Sequence, residues 1–250
     1  MYPKIFGVID SYSALVVIGL VAAFVLLFVF LRYKKTTQSE IIDIIICGSF
    51  AVVCGLIFSI LFQNLYVFIQ DSNSYQWTWG MTFYGGLFGG VLGYLLIYRF
   101  FIRKHSTGDV SKVLIIAPAC ITVAHAIGRI GCFLEGCCYG LETSEWYGLF
   151  FPAIGKKVIP TQLFESAFLF ILSAVLIFLA FKKSFKYTFI IYLISYGIFR
   201  FLIEFIRGDD RGAFMGIFSP SQIWSMVIVV LAIPLFFIMK NYLFKGKENA

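Results

Sequence analysis

Seven stretches of about 20 apolar residues follow one another with only short polar breaks, at roughly 12–31, 41–63, 80–102, 113–133, 161–181, 187–206 and 219–239. A helix of about 20 residues crosses a hydrocarbon core about 30 Å thick. Inside a bilayer the backbone has no water to bond, so runs of this length fold as helices that satisfy their own peptide groups. The expected fold is an all-α integral membrane protein, a bundle of seven transmembrane helices. Only 13% of the 250 residues are charged, where soluble domains average about 25%. No connection is long enough for a separate soluble domain, so residues 1–250 are expected to form a single transmembrane domain. Pro118, Gly197 and Pro234 lie inside runs, where neighbouring groups can satisfy the freed backbone. The first run follows one lysine, Lys4, and reaches Arg32 without a small-residue cleavage pattern. It therefore reads as a retained helix and not as a signal peptide.

The net charge of +7 raises nucleic acid as a partner, but the basic residues sit in short loops beside apolar spans. Segments 32–40, 99–112, 182–186 and 240–250 hold thirteen Lys and Arg, and the opposite set holds five. That second set comprises the N-terminus, 64–79, 134–160 and 207–218. Lys and Arg collect in cytoplasmic loops, so the N-terminus is expected outside and the C-terminus in the cytoplasm. No nucleic-acid role is expected.

With sidedness assigned, each unusual residue can be placed along its helix at about 1.5 Å per residue. Tyr12 opens the first span, TFYGG (82–86) the third, PTQLFE (160–165) the fifth and SPSQIW (219–224) the seventh. The fourth span runs outward and ends in GRIGCF (128–133). The sixth carries Tyr196, Arg200 and Glu204 at i, i+4 and i+8. Six of the seven spans thus put polar or glycine-rich features toward the outer side, which argues for one site opening to the outer leaflet. Arg200 is costly there, by about 2.5–3.5 kcal/mol on insertion scales. A buried Arg200–Glu204 pair without further function would also account for it. Arg129 at the same depth favours an anionic ligand, because guanidinium matches phosphate oxygens in a planar fork, and a phospholipid headgroup is the anion at hand.

His125 lies one turn before Arg129, either as a packed histidine or as a base or orienting group; His105 falls in a cytoplasmic loop. Cys47, Cys54 and Cys120 sit within spans and read as small packing residues. Cys132, Cys137 and Cys138 cluster at the outer mouth, where oxidation is possible. Cys132 and Cys137 could pair if the chain doubles back, and the simplest reading of all three is structural. A zinc site from these cysteines and His125 fits none of the usual spacings, so no metal and no cofactor is expected. Gly89, Gly90 and Gly93 suit helix packing, whereas Gly85 and Gly86 are placed for a close backbone approach to a headgroup.

These motifs together resemble the prolipoprotein diacylglyceryl transferases of bacterial plasma membranes, over most of the chain. GRIGCF and Gly140 align with a signature that begins Gly-Arg-x-Gly-Asn-Phe, so Arg129 matches its arginine. PTQLFE is similar to the family's Pro-Ser-Gln-Leu-Tyr-Glu, giving Gln162 and Glu165. YGIFRFLIEFIRGDD (196–210) resembles Tyr-Gly-x-x-Arg-Phe-x-x-Glu-Phe-x-Arg and puts Tyr196, Arg200 and Glu204 on positions important in the family. FSPSQIWS resembles the Gly-Gln-x-x-Ser segment that opens the last helix, at Gln222. DSYSAL resembles Trp-Tyr-Gly-Leu, at Tyr12.

The departures are also specific. The family's His-Gly-Gly is Tyr84-Gly85-Gly86 here, its signature Asn is Cys132, a later Asn is Glu135, and its Glu is Cys137. The chain thus resembles a divergent member or a paralogue.

The resemblance implies transfer of a diacylglyceryl group from phosphatidylglycerol to the cysteine thiol of a prolipoprotein signal peptide, at the outer leaflet of the plasma membrane. Arg129 and Arg200 would bind the phosphate, Glu204 would orient Arg200, and Tyr196 would donate to the headgroup. Tyr12, Gly85, Gly86, Gly140, Gln162, Glu165 and Gln222 would complete the substrate-binding set. For the base, Tyr84, Glu165 and His125 are candidates, and His125 is preferred on pKa and depth. Two other readings remain: a paralogous transferase with a different donor or acceptor, and a transporter, channel or lipid-binding protein. Transporters often show internal repeats and broken helices near the midplane, and the chain has no convincing repeat.

Overall fold

The computed structural model describes residues 4–5, 9–70, 72, 75–102, 110–208 and 218–243. Among these, seven α-helices follow in order: α1 Ser11–Tyr33, α2 Gln38–Gln70, α3 Phe83–Ile97, α4 Val110–Glu135, α5 Thr161–Lys182, α6 Thr188–Ile203 and α7 Pro220–Ile238. A π-helical turn, Tyr98–Ile102, extends α3, and another, Met239–Leu243, extends α7. A 3₁₀ turn, Glu204–Ile206, ends α6. Two short antiparallel pairs complete the elements: β1 (Lys4–Ile5) with β2 (Ile9–Asp10), and β3 (Leu149–Phe151) with β4 (Lys156–Val158).

Among the described residues, six helices are long and apolar enough to cross a membrane: Ser11–Tyr33, Gln38–Ile69, Lys112–Glu135, Thr161–Lys182, Thr188–Ile206 and Pro220–Asn241. The protein is therefore an all-α membrane protein. Large apolar side chains line their outer faces, Ile171 at 68% and Val230 at 63% exposure among them. So much contiguous apolar surface suits contact with lipid. The third expected span is shorter than the sequence pattern suggests. Residues 75–82 are non-helical because Asn64 on α2 holds them, donating to the Thr78 carbonyl at 2.8 Å and accepting from the Thr78 N–H at 2.9 Å. Only 15 residues of α-helix remain before the π turn.

The chain forms two compact units, Lys34–Asp109 on the one hand and Met1–Tyr33 with Val110–Ala250 on the other. In the first, α3 packs on α2 through a row of glycines. A Cβ on Gly85 would lie 2.7 Å from Phe62 Cβ, and one on Gly93 would lie 2.6 Å from Cys54 Cβ. This gives Gly89, Gly90 and Gly93 the packing place expected of them. Gly85, expected with Gly86 to approach a headgroup, is closed against Phe58 and Phe62, and a Cβ on Gly86 would meet the Gly55 carbonyl at 3.6 Å.

In the second unit α4 is central, packing against α1, α5 and α6, while α6 packs on α7. Gly19 of α1 lets the helix backbone approach the Ala124 carbonyl, and Ser166 of α5 donates to the Ala126 carbonyl at 2.9 Å. Pro118 inside α4 cannot donate to the carbonyl of Leu114. Thr188, at the start of α6, supplies the missing donor, with Oγ1 2.7 Å from the Ile115 carbonyl and 3.4 Å from that of Leu114. A neighbouring hydroxyl thus satisfies the proline break, as apolar surroundings require.

Candidate active site

The polar residues singled out on α4, α5 and α6 meet at one end of this unit, the end where α4 and α6 finish and α5 and α7 begin. Glu165 is 1% exposed and serves as the junction. One carboxylate oxygen lies 3.0 Å from Arg129 Nε. The other accepts from the Tyr196 hydroxyl at 3.0 Å and stands 3.7 Å from His125 Nε2. The His125 ring meets Tyr196 edge-on at 5.3 Å between centroids. An unpaired carboxylate at this depth would be prohibitively costly, so the arginine and the tyrosine are what allow Glu165 to remain charged here.

Arg200, 3% exposed, has its own carboxylate one turn along. Its Nη1 lies 2.7 Å from Glu204 Oε2, and its Nη2 donates to Ser221 Oγ at 3.0 Å. Glu204 also accepts from Ser219 Oγ at 2.8 Å and lies 3.9 Å from Arg207 Nε. The Arg200–Glu204 pair expected at i,i+4 is therefore present, but within a larger network. Each arginine has a carboxylate that fixes its direction, so the site is less purely cationic than two isolated arginines suggest.

The two guanidinium groups differ in what they leave open. Arg200 uses both terminal nitrogens on Glu204 and Ser221. Arg129 meets Glu165 through Nε at 3.0 Å, a pairing that leaves the planar terminal nitrogens of a guanidinium suited to a phosphate or carboxylate in a bidentate fork.

Other residues expected in the site divide into those that touch this network and those that hold its frame. Tyr12 packs beside Gly131 on α4, where a Cβ would meet the tyrosine at 3.2 Å. Gln162, 1% exposed, donates through Nε2 to the Cys137 carbonyl, and its Oε1 has no partner among the described residues. Gln222 accepts from the Ser219 N–H at 3.0 Å while its own N–H donates to Ser219 Oγ at 3.2 Å, a capping box with Pro220 at the first helical position. Its carbonyl oxygen thus caps α7. Gly140 lies in a backbone bridge with Arg207, and its N–H donates to the Ile159 carbonyl at 2.8 Å. A Cβ there would stand 2.7 Å from the Ile206 carbonyl. Tyr196 was expected to donate to a headgroup, but its hydroxyl proton goes to Glu165. Tyr84, Gly85 and Gly86 belong to the Lys34–Asp109 unit.

All six cysteines are free, so the pairing open to Cys132 and Cys137 is not formed. Cys137 lies outside the spans, and its pKa is raised well above the ordinary thiol range by hydrogen bonding with the Cys132 and Cys138 thiols and by partial burial.

Three residues of the network are not apparent from apolar patterning. Arg207, Ser219 and Ser221 all lie within reach of Glu204 or Arg200. Arg207 falls three residues after Glu204, a helical neighbour spacing, and Ser219-Pro-Ser-Gln222 has the form of a capping box. Those local patterns are the signals that could have found them.

Comparisons with known proteins identify the family to which this chain is similar. A match to the family described as prolipoprotein diacylglyceryl transferase spans residues 4–238. The chain is 37% identical over 176 residues to the phosphatidylglycerol–prolipoprotein diacylglyceryl transferase 2 of Clostridium perfringens, covering 68% of this chain and 65% of that protein. It is 31% identical over 247 residues to the phosphatidylglycerol–prolipoprotein diacylglyceryl transferase of Clostridium tetani, covering 93% and 94%. The transferase of the same name from Dehalococcoides mccartyi (strain ATCC BAA-2266 / KCTC 15142 / 195) is 28% identical over 239 residues, covering 92% and 88%.

Proposed function

The chain belongs to the prolipoprotein diacylglyceryl transferase family, and from that membership we propose that it moves a diacylglyceryl group from phosphatidylglycerol to the lipobox cysteine of prolipoproteins. The carbon–oxygen bond between the glyceryl carbon and the phosphate breaks, a carbon–sulfur thioether bond forms, the thiol proton is lost, and glycerol phosphate leaves. The observation that carries this reading is the Arg129 guanidinium. It is aimed by the buried Glu165 carboxylate, which it meets through Nε at 3.0 Å.

Displacing a phosphate ester requires stabilising the charge that grows on the departing oxygens. Donors fixed in advance do this without reorganising, at about 10²–10³-fold per donor in studied systems. Arg129 supplies the open fork. Arg200, held by Glu204 and Ser221, adds positive charge one turn from Tyr196 on the same helix. Supplying the thiolate is the second task, because a free thiol has a pKa of about 8.5. His125 takes that proton in this reading. Glu165, 3.7 Å from its Nε2, would steady the imidazolium that results. Glu165 itself is committed to Arg129 and Tyr196, which makes it a positioning group and a poor base. Gln162 and Tyr12 line the acceptor side, and Gly140 shapes the loop that follows α4.

We place the site at the outer leaflet of a bacterial plasma membrane, with seven crossings, the N-terminus outside and the C-terminus in the cytoplasm. The split of Lys and Arg between the two sets of loops supports this sidedness. The loops at the network's end of the helices belong to the arginine- and lysine-poor set.

The test is a reconstituted transfer reaction. Purified chain in phosphatidylglycerol vesicles is given a lipobox peptide with its cysteine, or the same peptide with serine there. We expect a diacylglyceryl mass added only to the cysteine peptide, and only with phosphatidylglycerol present. Retained phosphatidylglycerol binding with an unmodified peptide would overturn this acceptor and favour a paralogous transferase. The departures at Cys132 and Cys137 would then mark the altered acceptor side.

A further inference from the structure

Three thiols gather where α4 ends, and neither the lipid nor the peptide chemistry uses them. The helix closes at Gly136, whose φ of 82° is left-handed. The Cys137 N–H bonds back to the Cys132 carbonyl and the Gly136 N–H to that of Phe133, each at 3.1 Å. This double return is a Schellman motif, and it folds Cys137 and Cys138 back over the last turn. The Sγ atoms of Cys132, Cys137 and Cys138 all lie within 4.8 Å of one another. Three sulfurs bound at about 2.3 Å to one metal ion stand roughly 4 Å apart, so side-chain adjustment without backbone movement brings these into range.

The backbone that carries them is fixed from outside the cluster. Gln162 donates to the Cys137 carbonyl, and Thr161 Oγ1 donates to the Cys138 carbonyl at 2.8 Å. Cys138 itself is held at φ 66°, a left-handed conformation that costs a non-glycine residue about 1 kcal/mol. Backbone strain retained at a clustered thiol, with two neighbouring side chains holding it, is the mark of a built arrangement. Cys132 is 8% exposed and Cys137 is open to solvent, so the cluster has a sheltered side and an entry path.

We propose that Cys132, Cys137 and Cys138 form a three-thiolate site for a zinc-class d¹⁰ cation, with solvent or an exogenous ligand in a fourth position. Thiolate donors select such thiophilic ions over magnesium or calcium. On binding, three S–H bonds break, three protons pass to solvent, three metal–sulfur bonds form, and no electrons are exchanged. The zinc trithiolate carries one net negative charge. It would sit beside Arg129, which precedes Cys132 by three residues on the same helix face. A disulfide would use only two of the three sulfurs. His125 is not part of the site, which explains why spacing rules that included it found no pattern.

The test uses the full chain in detergent, reduced with a phosphine, stripped with a chelator and titrated with cobalt(II) as a spectroscopic probe. We expect one cobalt per chain with a near-ultraviolet thiolate-to-cobalt charge-transfer band, and displacement of that cobalt by zinc. Cys132→Ser, Cys137→Ser and Cys138→Ser should each weaken binding by more than about 100-fold, beyond the usual loss of an outer-shell partner. Cys120→Ser should leave binding unchanged. Gel filtration of each variant separates lost binding from lost folding. Absence of the band, or an equal band in the triple serine variant (an adventitious ion only), would overturn the proposal. So would isolation of the chain two hydrogens lighter, with two of these thiols closed to alkylation. None of these outcomes depends on transferase activity.

Discussion

Two carboxylates govern what the arginines can do. Glu165 and Glu204 are buried with their partners, and removing one member of a buried pair leaves an uncompensated charge, at about 3–5 kcal/mol. Glu165→Ala should therefore lower unfolding stability in detergent by roughly that amount and abolish transfer, and a thermal melt alongside the activity assay checks both. Tyr196→Phe removes only one hydrogen bond to Glu165, worth about 1 kcal/mol. We expect the chain to stay folded while the transfer rate falls by several-fold to about tenfold. Unchanged kinetics would mean that Glu165 does not need this partner. At this scale the sequence was readable where partners are close along the chain. Arg200 and Glu204 are one turn apart on one helix, so their pairing follows from spacing alone. Arg129 and Glu165 sit on α4 and α5, 36 positions apart in the chain, and only the packing of those helices brings them together. The direction of the Tyr196 hydroxyl depends on the same packing.

Among the elements, α4 bears the most consequence because it carries His125, Arg129 and Cys132 and contacts three other helices. Its proline break is satisfied by Thr188 from α6. Thr188→Val keeps the shape but leaves the carbonyls of Leu114 and Ile115 without this donor. The expected loss is about 1–3 kcal/mol, seen as a lower melting temperature with the transfer rate of the folded fraction retained. Ser219 acts twice, as the cap of α7 and as a donor to Glu204. Ser219→Ala should cost about 1 kcal/mol as a lost cap and should also slow transfer, whereas Ser219→Asp, which can still cap, should place a second carboxylate against Glu204 and not restore activity. A stability loss with full activity would separate the two roles and leave only the cap. The capping box of Ser219-Pro220-Ser221-Gln222 went unread because apolar patterning does not register it, although its residues act within one turn. The β3–β4 hairpin also went unread, because strands of three residues with Lys156 and Lys157 carry no alternation long enough to read. The shortening of α3 was hidden for a related reason: apolar length shows where a helix is permitted, and Asn64 decides where it starts.

For the molecule as a whole, apolar run length carried the all-α membrane character, since the bilayer imposes it directly. Family membership accounts for what run length could not supply, namely the donor and the acceptor. Sidedness is open to direct measurement. A single cysteine at Lys183, on a background with the native cysteines replaced by serine, should resist a membrane-impermeant maleimide in intact cells. One at Trp146, 88% exposed, should react. The reverse pattern would turn the site toward the cytoplasm. The central claim, that two carboxylate-held arginines stabilise the departing phosphate, is tested most directly by kcat and KM for phosphatidylglycerol in Arg129→Lys and Arg200→Lys. Lysine keeps the charge but loses the planar fork. We expect each folded variant to lose about 100-fold or more in kcat. Wild-type kcat and KM in either variant would contradict that arginine's part in the mechanism.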